Sequence, residues 1–296
     1  LKNYNIFNIE KECDGLKLGK YLREKLRMSR NGLTKVKKSC SLKVNGNYVH
    51  TDEILKAGDK VEFELPDQNS ENILPECMEL DIIYEDEYMV VLNKKSDIPT
   101  HPSGKYYTGT LANGLMYHLM EEGRPITIRP VNRLDKNTSG LVIFAKSSHI
   151  QHLMALEDYK PNFIKEYLAV AQGIVEADSG TIDAPIAIER AHSVKRTVRE
   201  DGYRAITHYR VIERYEDYSL LGIILETGRT HQIRVHMAHL GHPLLGDELY
   251  GGSQEIISRQ ALHAYNIKML HPIIHTNLNF TAELPEDMLQ LIREYS

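Results

Sequence analysis

Residues 129–145 read Arg-Pro-Val-Asn-Arg-Leu-Asp-Lys-Asn-Thr-Ser-Gly followed by Leu-Val-Ile-Phe-Ala. A loop of ionisable and hydroxyl side chains thus runs straight into an apolar strand, the rigid kind of support from which side chains are presented for chemistry. Asp135 is the reactive group of that loop, since a carboxylate can act as nucleophile or as base. Read alone, the same Asp ahead of Thr138-Ser139-Gly140 is a turn former, because Asp and Ser commonly bond local backbone. A second dense stretch covers residues 226–243, with Arg229, His231 and Arg234. Gly228 permits a sharp turn there, and Thr230 is expected to cap a helix bearing Arg234. His231, His236, His239 and His242 match none of the usual zinc spacings and have no interleaved carboxylate, so no metal site is expected. No Walker loop or dinucleotide glycine fingerprint is present, and no cofactor is expected.

These residues need a scaffold. Apolar runs predict strands over 82–84, 89–93, 141–145, 166–171, 205–214 and 219–226, with helices over 111–121, 148–158, 231–240 and 285–295. Strands arriving in runs, without regular alternation with helices, predict an α+β fold with a central mixed or antiparallel sheet. Near the start, Leu18, Leu22 and Leu26 recur at helical spacing, and Ser29 is placed to cap a second helix through Lys38. Asn45-Gly46 between alternating residues predicts a hairpin. Residues 66–75 are polar and bounded by Pro66 and Pro75, which reads as a linker. The expected division is 1–65 as a small α/β domain, 66–78 as linker and 79–296 as the catalytic domain.

The chain has 296 residues, 42% hydrophobic and 26% charged, with a net charge of −5. That composition excludes collagen-like, coiled-coil and disordered classes. Its three cysteines, Cys13, Cys40 and Cys77, form no CxxC pair and are expected to be small buried hydrophobes in a reducing compartment. No apolar run is long enough to cross a membrane and no signal pattern opens the chain, so a cytoplasmic, monomeric protein is the default expectation. The net charge conceals a strong asymmetry. Between Lys17 and Lys43 ten basic residues face one acid, whereas thirteen acids face two lysines between Asp52 and Glu87. Attraction follows the local field, so the basic segment can engage phosphate on an acidic protein. Lys20, Arg23, Arg27 and Arg30 are its candidate contacts. A further basic stretch, with Arg190, Lys195, Arg196, Arg199 and Arg204, reads equally as an RNA-gripping loop or an exposed hairpin.

The motifs together resemble a known family. Asn132-Arg133-Leu134-Asp135-Lys136-Asn137-Thr138-Ser139-Gly140 is similar to the signature of the RluA-type pseudouridine synthases. Lys165-Glu166-Tyr167-Leu168-Ala169 is similar to that family's tyrosine motif, and residues 227–236 to its arginine motif. Gly241-His242-Pro243-Leu244-Leu245-Gly246-Asp247 and Leu262-His263-Ala264 also fit. The likeness runs from about Leu80 to Leu284, and the basic helices with the Asn45-Gly46 turn resemble an S-four-type RNA-binding domain. One departure is Asn132, where the family often has His, which implies an altered local contact.

The resemblance implies isomerisation of a uridine within RNA, with ribosomal RNA favoured over transfer RNA and no cofactor or metal required. Asp135 would be the catalytic carboxylate. Two routes are open to it: attack on the uracil ring or anomeric carbon, and abstraction of a ribose proton. A carboxylate in a dehydrated pocket needs a neighbouring cation to stay charged, and the resemblance assigns that role to Arg234. Tyr167 would stack on the uracil. Arg133, Arg229 and His231 would face the RNA, as would Lys195 and Arg196. The competing readings are a non-catalytic RNA-binding or ribosome-associated protein, which has no use for the carboxylate, and an N-glycoside hydrolase, which would want a second carboxylate.

Overall fold

The computed structural model describes residues 4–64, 73–104, 106–120 and 127–293. Residues 66–72 of the expected linker lie outside them, as do Glu121 and the last residues of the predicted C-terminal helix.

The N-terminal part is a four-stranded sheet in the order β1 (Tyr4–Asn8), β4 (Lys60–Glu64), β2 (Lys43–Val44) and β3 (Asn47–Tyr48). The Asn45-Gly46 turn joins β2 to β3 with both residues at positive φ, 50° and 80°, which suits the twist of the flanking strands. The first leucine repeat gives only one turn of α-helix, α1 (Leu18–Lys20), which widens into a π turn over Tyr21–Lys25. The second expected helix is α2 (Arg30–Ser39), capped by Ser29, whose Oγ accepts the Gly32 N–H at 3.0 Å. Leu18, Leu22, Val36, Val61 and Phe63 close a separate apolar core beneath. Cys13 belongs to it, but Cys40 and Cys77 are exposed, so the expectation of buried thiols holds for one of the three.

The rest of the described chain is built on one large sheet. Its edge begins with β5 (Ile82–Glu85) and β6 (Met89–Lys94), then α3 (Leu111–Met120) and the short β7 (Arg129–Pro130) lead into β8 (Ser139–Ala145). Next come α4 (Ser148–Met154), β9 (Phe163–Gln172) and β10 (Ser179–Asp183), followed by the hairpin β11 (Ile186–Ile188) and β12 (Arg196–Val198). The chain continues through β13 (Ile206–Arg214), β14 (Tyr218–Leu225), α5 (Gln232–His239), β15 (Leu262–Leu270), β16 (Asn277–Thr281) and α6 (Glu286–Arg293). The spatial order is β10-β13-β14-β9-β15-β8-β6-β5. All its pairings are antiparallel except β15 with β8, so the sheet is mixed, as the runs of strands predict.

Both faces are covered, which explains the unbroken apolar run of β8. Val142 and Phe144 pack with Leu115 of α3 and Ile233 and Met237 of α5. Leu141, Ile143 and Ala145 pack on the other face with Ile150 and Met154 of α4. A strand buried on both sides has no polar alternation to show. Gly140 opens β8 with φ +108°, and a Cβ there would lie 2.3 Å from the Ala264 carbonyl. Only glycine lets the loop before β8 enter the sheet so close to β15.

Candidate active site

Asp135 lies in the loop between β7 and β8, and buried side chains hold that loop's backbone almost residue by residue. The Thr100 hydroxyl donates to the Leu134 carbonyl at 3.0 Å and accepts the Leu134 N–H at 3.2 Å. Lys94, only 1% exposed, donates to the carbonyls of Lys136 and Ile98 at 2.8 Å and of Lys95 at 2.9 Å. Arg259 pairs with Asp287 and gives a further N–H to the Asn137 carbonyl at 3.2 Å. Gln260 donates to the Thr138 hydroxyl at 3.1 Å, and the Thr138 N–H closes a turn on the Asp135 carbonyl at 3.1 Å. Burial pushes the Lys94 ammonium down to about 7, with the charge of Asp135 the largest opposing influence. Its three carbonyl acceptors replace the water that burial removed.

The cation facing Asp135 comes from α5. Arg234 is 7% exposed, and its Nη1 donates to Asp135 Oδ2 at 3.1 Å. Its Nε and Nη2 hold both oxygens of Asp247 at 2.7 Å, a fork that fixes the plane of the guanidinium. Asp247 is placed by Gly246, at φ +73°, where a Cβ would meet the Arg259 carbonyl at 1.9 Å. Tyr250 packs its ring 5.0 Å from the Arg234 guanidinium carbon. The Tyr250 hydroxyl lies 2.9 Å from His231 Nδ1, and His231 Nε2 stands 3.7 Å from Asp135 Oδ2. Burial lowers the pKa of His231 from its ordinary value; Asp135 opposes the shift and Arg234 adds to it. The ring is therefore neutral near pH 7, and the tautomer with Nε2–H toward the carboxylate is the favourable one.

Helix α5 does not begin as the sequence suggests. Thr230 is not the cap; His231 precedes the first turn in the left-handed region, at φ 59°, and makes no side-chain cap bond. Gln232 ties the turn down instead, accepting from the Thr227 hydroxyl at 2.8 Å and the Arg229 N–H at 2.9 Å. It donates in turn to Ile206 and Thr207 of β13.

Tyr167 sits mid-way along β9, between Ile223 of β14 and Ala264 of β15, on the face that packs toward α5. It is 7% exposed, and its hydroxyl makes no hydrogen bond among the described residues. Burial, with the charge of Asp135 second, raises the phenol above its ordinary pKa, so it stays protonated. Asp135, Tyr167 and Arg234 border a single cavity of about 770 Å³, which Arg133, Arg229 and His231 also line. That volume falls within the range of ligand pockets.

The other expected contacts are scattered. Arg133 is exposed at the cavity and has no partner among the described residues. Arg229 stacks on Tyr203, and its Nε donates to the Arg204 carbonyl. Lys195 reaches over the Tyr250 ring, and the Arg196 N–H donates to the Tyr250 hydroxyl at 2.9 Å, so the β11–β12 hairpin leans on the site. Lys20, Arg23, Arg27 and Arg30 are exposed on the N-terminal part, where Arg27 pairs with Asp158 and Lys20 with Glu24. Asn132 bonds the backbone of β8, donating to the Leu141 carbonyl at 3.0 Å and accepting the Ile143 N–H at 2.8 Å. Its amide thus acts as a piece of sheet, a local contact away from the carboxylate. Lys94, Asp247 and Tyr250 are the site residues that sequence reasoning missed. Asp247 alone had a signal, its place beside Gly246 in a recognised motif. Among the described residues, no group of three or more His, Cys, Asp and Glu side chains could hold a metal ion, and no helix is long and apolar enough to cross a membrane.

The family model described as RNA pseudouridylate synthase matches residues 88–239. The chain is 39% identical over 289 residues to the uncharacterized RNA pseudouridine synthase YhcT of Bacillus subtilis, spanning 97% of this chain and 96% of that one. It is 38% identical over 267 residues to ribosomal large subunit pseudouridine synthase D of Pasteurella multocida, spanning 84% of this chain and 81% of the relative. Human RNA pseudouridylate synthase domain containing 1 shares the fold, with a TM-score of 0.56 and 23% identity over 73% of this chain and 94% of that one.

Proposed function

The chain belongs to the RNA pseudouridylate synthase family, and we propose that it isomerises a uridine of ribosomal RNA in the cavity at Asp135. Family membership makes it an isomerase acting on RNA, which sets aside the binding-module and hydrolase readings. The observation that carries the assignment of the site is the Arg234–Asp135 contact at 3.1 Å, with Tyr167 in the wall of the same cavity.

In this reading the target nucleotide leaves the helix, because a stacked base is out of reach of chemistry. Tyr167 stacks on the extruded uracil. Asp135, held by Arg234, either attacks the ring or anomeric carbon, or removes a ribose proton. On each route the N1–C1′ bond breaks, the base turns and carbon-5 bonds to C1′. The carbon-5 proton then leaves, N1 takes up a proton, and the Asp135 adduct is released or the ribose proton restored. His231 Nε2 faces Oδ2, the oxygen that Arg234 already holds, so the other carboxylate oxygen is the one left to react. Arg133 contacts phosphate or fills the gap that the base leaves. The basic residues Lys20, Arg23, Arg27 and Arg30 of residues 1–65, taken as an RNA-binding domain joined by the linker 66–78 to the catalytic residues 79–296, give longer-range grip. A single copy in the cytoplasm suffices, since one chain supplies every residue named. The choice of ribosomal RNA is supported by the name of the Pasteurella relative, a ribosomal large subunit pseudouridine synthase, and by the basic N-terminal segment.

The test is to incubate the protein with unmodified transcripts of ribosomal and transfer RNA and map pseudouridine in each. A defined site in ribosomal RNA is expected. Modification of transfer RNA alone would overturn the substrate, and modification of neither would overturn the reading.

A further inference from the structure

Five lysine and arginine side chains line the cavity: Arg133, Lys136, Lys165, Arg229 and Arg234. Three are already engaged. Arg234 holds two carboxylates, Lys136 pairs with Asp97 at 2.7 Å, and Arg229 is fastened to the Arg204 carbonyl and the Tyr203 ring. Arg133 is exposed. Lys165 is different: it is half-buried, its Nζ lies 5.3 Å from the Phe163 ring centre, and it has no ion pair or side-chain hydrogen bond among the described residues. Burial lowers the pKa of its ammonium, and Lys160 adds repulsion. A half-buried cation without an anionic partner is costly, and an arriving anion removes that cost.

Lys165 lies two residues before Tyr167 on β9, so both side chains emerge on the same face, about 6.6 Å apart along the strand. Flipping turns a nucleotide about its backbone, so the base that reaches Tyr167 brings its own phosphates close behind it. We propose that Lys165 is a substrate-binding residue that takes a phosphodiester of the flipped uridine, fixing the sugar while Tyr167 holds the base. This rests on the cavity being the uridine pocket. It differs from the sequence-independent grip of the surface lysines, because the contact forms only after the nucleotide has entered.

The test compares wild type with Lys165→Gln and Lys165→Arg on the transcript that wild type modifies, over a series of salt concentrations. Lys165→Gln should raise KM about tenfold, the loss of one charge-assisted hydrogen bond, with kcat changed less than about twofold. The slope of log KM against log salt should fall by about 0.7–0.9, one phosphate contact. Lys165→Arg should restore both. RNA affinity is also measured in an Asp135→Asn background with and without Lys165→Gln, where the same weakening is expected without turnover. An unchanged KM and slope, or a fall in kcat at constant KM, would overturn the proposal. Inactive wild type on every transcript would instead sink the functional reading, while the binding comparison still judges Lys165. Lys165→Met replaces the Gln variant if the latter does not fold.

Discussion

Arg234 divides its guanidinium between two carboxylates: both oxygens of the buried Asp247 at 2.7 Å, and a single N–H on Asp135 Oδ2 at 3.1 Å. The first contact fixes where the cation sits; the second leaves one oxygen of Asp135 free to react. Burial by itself would lower the pKa of Arg234, but Asp247 and then Asp135 hold it above the ordinary value.

Asp247→Asn should therefore act through Arg234. Removing one partner of a buried ion pair costs about 3–5 kcal/mol, so a clear fall in Tm is expected. A guanidinium released from its fork would turn fully onto Asp135, and kcat should drop at least about tenfold with RNA affinity nearly unchanged. Calorimetry and steady-state kinetics check both parts; unchanged kcat would contradict the positioning role.

Lys94 supports the other side of the site. Lys94→Met keeps the length but orphans three carbonyls, each costing about 1–3 kcal/mol, so denaturation should show a loss of at least about 2 kcal/mol. The pH dependence has a defined sign. With a folded pKa of about 7 against about 10.4 unfolded, the unfolded chain binds more protons between those values. This group's burial cost is thus greatest below pH 7 and is relieved as pH rises to about 10. The stability of wild type relative to Lys94→Met should improve across that window; a constant difference would show that Lys94 does not titrate there.

Much of this was legible in the sequence. Asp135, Tyr167 and Arg234 each stand in a motif, and the both-faces-buried strand β8 announces itself as an unbroken apolar run. Other parts were hidden for physical reasons. Lys94 reads as the polar end of a strand, because its partners at Ile98 and Lys136 are backbone carbonyls and carry no side-chain signature. Strand β15 was not expected, since His263 and Asn266 interrupt its apolar pattern. Both are buried polar groups that bond across the sheet, His263 to Ser139 and the Asn266 side-chain N–H to the Phe280 carbonyl, while Asn266 Oδ1 has no partner among the described residues. The π turn after α1 is a departure from the helix implied by its leucine repeat, and nothing in that spacing distinguishes the two.

Tyr167 should separate stacking from proton chemistry. Stacking is worth about 1–3 kcal/mol per base, so Tyr167→Ala should raise KM about five- to 150-fold. Tyr167→Phe keeps the ring and should keep KM. Burial raises the phenol, so no limb of the kcat profile below pH 10 should vanish in the Phe variant. A limb that does vanish would show the phenol ionising in this range.

His231 is held neutral by burial, with its pKa below 6.5. The pH profile of kcat/KM should accordingly show no inflection at 6.5 that His231→Gln abolishes. Finding one would mean that His231 titrates at its ordinary value and that burial does not depress it.

The central claim is that Asp135 performs the chemistry. Its most direct test is tritium release from RNA labelled at uridine carbon-5, measured for wild type and Asp135→Asn alongside RNA affinity. Wild type should release label while the variant binds RNA normally and releases none above background. Release by Asp135→Asn at the wild-type rate would contradict the account.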